Sequence, residues 1–139
     1  PTGPGKTSLA KGEIIEAVVL QKPEARAGDA YLRFIPRTEM DIAVVGVGVN
    51  LTLDEGGIVT AARVALGAVG PKVILVNAAA KTLIGSKLED TAIEALAEAC
   101  SAASTPIDDK RGTVAFRKQV VGVLARRAAQ TAYTRAGGK

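Results

Sequence analysis

The 139-residue chain has no histidine, no tryptophan and one cysteine, Cys100. Without histidine it loses the commonest general base and metal ligand, and a lone thiol can neither form an internal disulfide nor hold an iron–sulfur cluster. There is also no G-x-S-x-G element, so nucleophilic acyl transfer lacks its usual machinery. Cys100 shares a helical face with Ile93, Leu96 and Ala97 and reads as a small buried hydrophobe. No run of about 18 apolar residues and no basic-then-apolar leader occurs, and the expected compartment is the cytoplasm.

Aromatic residues are scarce, at two Phe and two Tyr, yet 47% of the chain is hydrophobic. A single domain over 1–139 is expected, with a core of Val, Ala, Leu and Ile. That composition suits a sheet covered by alanine-rich helices. Charge is unevenly spread. Of 18 basic residues, eight lie from Lys110 onward with no acidic residue among them, leaving ten against all 14 acidic residues in the first 109. The basic end would suit an acidic partner. Nucleic acid is not that partner, because Arg117, Lys118, Arg126 and Arg127 point in four directions around one helix and only Phe116 and Tyr133 could act as stacking platforms.

The long strand expected from Ile42 to Leu53 carries the clearest pattern. Every odd position from Ala43 to Leu53 is apolar, and the even positions from Gly46 to Thr52 are small or polar, which is the period of a sheet with one buried face. Immediately before it stand Arg37, Thr38, Glu39, Met40 and Asp41, a charged rim on a rigid strand. Around this strand the pattern predicts three others. Gly12 to Leu20 is a first strand, Tyr31 to Ile35 a short second one after turn residues from Pro23 to Asp29, and Ile58 to Val69 a hairpin return after Asp54-Glu55-Gly56-Gly57. On the return strand Ile58, Thr60, Ala62, Val64, Leu66 and Ala68 share one face.

Beyond Gly70-Pro71 the period becomes helical. Ala78 to Ile84, Leu88 to Ala103 and Thr113 to Ala136 are predicted helices, the last with Thr113 as N-cap and Gly137-Gly138 fraying its end. Strands at about 12–69 followed by helices at about 77–136 imply an α+β fold, a mainly antiparallel sheet of about four strands with three helices on one face. In the last helix Arg117 falls within the apolar arc of Phe116, Val120, Val121, Leu124, Ala128 and Ala132. A buried guanidinium needs a partner, and Asp41, Asp108 and Asp109 are the candidates, unless its head bends out to solvent.

Gly3-Pro4-Gly5-Lys6-Thr7-Ser8 looks like the end of a phosphate-binding loop, but a strand rather than a helix is expected after it. The adjacent carboxylates Glu89-Asp90 and Asp108-Asp109 sit at a helix start and in a turn, where capping accounts for them.

Four blocks in order resemble the C-terminal domain of the flavoprotein subunit of molybdenum hydroxylases, the carbon monoxide dehydrogenase and xanthine dehydrogenase family. They are Gly3-Pro4-Gly5-Lys6-Thr7 with Gly12-Glu13-Ile14-Ile15, the stretch from Arg37 to Asp41-Ile42-Ala43, Ala65-Leu66-Gly67, and Pro106-Ile107-Asp108-Asp109-Lys110-Arg111-Gly112 leading into Phe116-Arg117. The resemblance implies a redox subunit of an oxidoreductase complex, with this domain following an N-terminal FAD-binding region that lies outside the sequence. Molybdenum-pterin on a large subunit and two [2Fe-2S] clusters on a small one would be its partners' cofactors, with FAD passing electrons to an acceptor. The domain alone would be inactive.

The resemblance also implies site residues: Ile14 and Ile15 on a strand near the flavin, Arg33 as a cation reaching flavin or phosphate, and Arg37 and Asp41 bracketing a loop beside the isoalloxazine. Departures from the family pattern are Val73, Leu75 and Ala80, where a Pro-x-Arg element and a Glu are common, and Phe116 in place of Tyr. The other readings are a noncatalytic assembly module docking subunits through its basic helix, and a P-loop nucleotide-binding fragment.

Overall fold

A computed structural model describes residues 1–37 and 41–138. Four strands come first and three helices follow: β1 (Ala27–Phe34), β2 (Val45–Leu53), β3 (Val59–Gly67), β4 (Ile74–Leu75), α1 (Asn77–Leu83), α2 (Asp90–Ala103) and α3 (Val114–Arg135). The strands form one antiparallel meander in the order β1-β2-β3-β4. This is the expected α+β architecture. Alternation on β2 places Val45, Val47, Val49, Leu51 and Leu53 in the core, each 4% exposed or less. α3 lies across β1 and β2, α1 packs on β3, and α2 packs against both α1 and α3.

Close packing of α3 on the sheet rests on small residues. Ala125, Ala128, Ala129 and Ala132 are fully buried along the helix. At the far end of α3 the contact is backbone against backbone, because a Cβ on Gly28 would collide with the Ala132 carbonyl and lie 2.5 Å from Ala136 N. Thr113 caps α3 by accepting a hydrogen bond from Phe116 N at 3.1 Å. The helix does not fray at Gly137-Gly138. Gly137 adopts φ 90°, its N–H bonds Thr134 O, and Gly138 N–H bonds Tyr133 O, which closes the helix in a Schellman motif.

The predicted first strand, Gly12 to Leu20, is corrected. Those residues form no strand, and Ile14, Ile15, Val18, Val19 and Leu20 are 70–87% exposed. A run of Ile and Val marks a segment able to pair, but a strand exists only against a neighbour, and β1 pairs with β2 alone among the described residues. The fourth strand is β4, too short to show a period. The Gly3 to Lys6 stretch makes a single antiparallel bridge, and no helix follows it, so the strand–loop–helix context of a P-loop is missing. β1 begins at Ala27, inside the expected turn, and regular pairing of β2 begins only at Val45.

The predicted face of the return strand holds from Ala62 to Leu66. Register shifts between Thr52 and Leu53 put Val59 opposite Leu53, so Val59 is buried and Thr60 exposed. A second inversion follows at Ala68, whose φ of 62° turns Val69 inward.

Candidate functional site

Side chains of the β-strands that point away from the helices form an open face. Register sets them in rows: Asp29 beside Asn50 and Arg63, Tyr31 beside Gly48, Ala65 and Leu75, and Arg33 beside Gly46 and Gly67. The floor of this face is made of small residues. Tyr31 lies over it, for a Cβ on Gly46 would meet the Tyr31 hydroxyl at 2.7 Å and one on Gly48 would meet its ring at 3.8 Å. Residues 19–24 stand over part of the face and enclose with it a cleft of about 960 Å³, lined by Tyr31, Asn50, Arg63 and Leu75 among others.

At the end of β1 the chain reaches the charged turn, of which Thr38, Glu39 and Met40 lie outside the described residues. Asp41 ties Arg37 to Ile42. Its side chain is 2% exposed, its Oδ2 accepts from Arg37 N and its Oδ1 from Ile42 N, both at 2.9 Å. Two guanidiniums flank it, Arg37 at 3.6 Å and Arg111 at 3.8 Å. Burial works to raise the Asp41 pKa, but the two backbone N–H donors and the neighbouring arginines together hold it below the usual aspartate value.

Arg117 stands next to this turn. It is 3% exposed, and Asp109 is its ionic partner at 2.6 Å, not Asp41. Its Nη1 donates to Val44 O at 2.9 Å and its Nε to Gly112 O at 3.3 Å. The expected alternative, a head bent into solvent, gives way because Asp109 and Val44 O both lie within reach of the first turn of α3. Asp109 also accepts from Arg111 N at 2.8 Å. That backbone bond and the one from the Arg117 side chain hold the Asp109 carboxyl below the usual range. Phe116 packs edge-on against Phe34, with ring centroids 5.7 Å apart.

Of the five residues singled out in the sequence, the structure brings Arg37 and Asp41 together and sets Arg33 on the open face of β1. Ile14 and Ile15 stand apart from all three, exposed on a segment without a strand partner. Asp41 is committed to the turn and presents no free carboxylate, whereas the Arg37 side chain is 71% exposed. Tyr31 and Arg111 were not singled out in the sequence, whereas Asp109 was, as one of three candidate partners for Arg117. Tyr31 was legible as the alternate neighbour of Arg33, and Arg111 by its place between Asp109 and Gly112.

Cys100 is fully buried, and burial pushes its thiol up to about 12, which makes it inert. The described residues contain no group of His, Cys, Asp and Glu able to hold a metal ion. Among them, no helix is long and apolar enough to cross a membrane.

Residues 30–132 match the family model of the CO dehydrogenase flavoprotein C-terminal domain. Over 139 aligned residues the chain is 30% identical to the putative xanthine dehydrogenase FAD-binding subunit XdhB of Escherichia coli K12, covering 99% of this chain and 47% of that protein. It is 31% identical over 130 residues to the carbon monoxide dehydrogenase medium chain of Afipia carboxidovorans, covering 94% and 44%. Among solved structures, reconstituted CO dehydrogenase from Oligotropha carboxidovorans superposes with a TM-score of 0.77 at 29% identity, over 81% of this chain and 39% of that one. The chain thus spans a little under half the length of these curated relatives.

Proposed function

The chain belongs to the CO dehydrogenase flavoprotein C-terminal domain family, and from that premise we propose that it caps FAD in the flavoprotein subunit of a molybdenum hydroxylase. The observation that carries the reading is the division of charge at the end of β1. Asp41 is spent on its two backbone donors, while Arg33 and Arg37 stand exposed, Arg37 with 71% of its side chain open to solvent although it also faces Asp41 at 3.6 Å. Beside Arg33, the glycine floor under Tyr31 keeps the open face shallow enough for a planar surface to approach. These residues fit the ring and phosphates of FAD. When bound, FAD supplies the passage of electrons between iron–sulfur clusters and an acceptor.

What the chain itself contributes is position and field. Arg37 holds a positive charge at the turn and Arg33 another on the neighbouring face. Together they favour added negative charge nearby and keep one side of the site covered. Most FAD contacts come from a separate N-terminal region of the subunit, and substrate oxidation belongs to a molybdenum-bearing large subunit linked through an iron–sulfur small subunit. Ile14 and Ile15, exposed and outside any strand, enter the reading by family position alone.

Arg37→Ala and Arg33→Ala in the complete enzyme test this. Removing either cation is expected to lower the flavin reduction potential by tens of millivolts while turnover at the molybdenum centre is retained. An unchanged potential in both variants, with full FAD content, contradicts the capping role.

A further inference from the structure

Two arginines reach the start of β2, Arg111 from the α2–α3 connection and Arg117 from the first turn of α3, and one carboxylate organises both. Asp109 Oδ1 accepts from Arg111 N at 2.8 Å and from Arg117 Nη2 at 2.6 Å. From that hub, Arg117 extends to Val44 O at 2.9 Å, while Arg111 Nε stands 3.8 Å from Asp41. Val44 N in turn bonds Phe34 O at 2.9 Å, so the end of β1 is tied into the same unit. Asp41 then holds Arg37 through its backbone N–H and Ile42 through the next.

We infer that Asp109 and Arg111 are positioning residues, a clamp in which Asp109 holds Arg117 and the Arg111 backbone, and Arg111 fixes Asp41 and through it the placement of Arg37. The two arginines differ in kind. Arg117 is buried, satisfies a main-chain carbonyl and belongs to the core. Arg111 is 40% exposed and its guanidinium meets the Asp41 carboxylate at 3.8 Å. A 3.8 Å ion pair between an exposed and a buried group contributes little to global stability. Its consequence is local, because Asp41 has no freedom to turn away while both guanidiniums and both backbone donors face it. The groups facing that carboxylate are Arg37 from its own turn and Arg111 from the α2–α3 connection, with no acidic residue paired to either arginine apart from Asp41 and Asp109 among the described residues.

The inference rests on the capping role only for its consequence at the flavin; the clamp itself can be tested on this chain alone. Residue-resolved hydrogen exchange is measured for Arg111→Gln, Arg111→Lys and Asp41→Asn. Arg111→Gln is expected to speed exchange of the Arg37 and Ile42 amides several-fold. Amides within α3 and the β2–β3 ladder should be unchanged. Arg111→Lys should fall between wild type and Arg111→Gln, and adding Arg111→Gln to Asp41→Asn should have no further effect. No change at Arg37 and Ile42, or an equal rise at every amide, overturns the clamp. In the complete enzyme, Arg111→Gln should shift the flavin potential in the direction of Arg37→Ala and by less. Faster local exchange with an unmoved potential upholds the clamp and counts against the capping role instead.

Discussion

Arg117 carries a full charge on the apolar side of α3, and the fold tolerates it because each arm of the guanidinium has a partner: Asp109, Val44 O and Gly112 O. Arg117→Leu keeps the packing but leaves the buried Val44 carbonyl unpaired, a loss of about 1–3 kcal/mol. Chemical denaturation should show it as a lower midpoint with an unchanged slope. Acid dependence follows from the same residues. Asp41 and Asp109 both have folded pKa values below their ordinary one. Their contribution to stability is therefore fully present above the ordinary aspartate value of about 4 and lost as pH falls through the lower folded values. Thermal midpoints should be flat from neutral pH down to about 5 and decline below about 4. Asp109→Asn should lower the neutral-pH midpoint and shallow that decline; an equally steep decline would exclude Asp109 as a source.

Among the elements, α3 is legible almost to the residue, because Thr113 is a good cap and the apolar arc has a helical period. Its closing Schellman motif was hidden, since Gly137-Gly138 is equally the composition of a frayed end. The long strand was legible from alternation alone, but the bulge beside Thr52 was not, because a register shift is a property of two strands together. Gly12 to Leu20 shows the same limit in reverse: its β-branched residues favour a strand, and among the described residues none pairs with it. Two glycine variants separate packing from propensity. Gly28→Ala forces a methyl into the backbone of α3 and is expected to cost about 1–3 kcal/mol. Gly48→Ala meets only the Tyr31 ring at 3.8 Å and should be neutral or stabilising by about 0.5–1 kcal/mol. Equal effects in a urea titration would mean that α3 can lift away from β1 freely.

For the molecule as a whole, the layered arrangement places every helix on one side of the sheet and leaves the other to Tyr31, Arg33 and Arg63. The absence of histidine and the single inert cysteine fit a domain that shapes a cofactor's surroundings and leaves the redox chemistry to the cofactor. Arg33 and Arg37 were singled out in the sequence by family position, and their exposure is what the fold adds. That Asp41 faces inward was not legible there, because only the fold brings Arg111, 70 positions later, to its carboxylate. The most direct test combines this chain with a separately made N-terminal FAD-binding portion of the subunit and follows the rate of FAD release. Capping predicts several-fold slower release in the presence of the chain, with the slowing reduced in Arg33→Ala and Arg37→Ala. A release rate unaffected by a chain that demonstrably binds that portion would contradict the account.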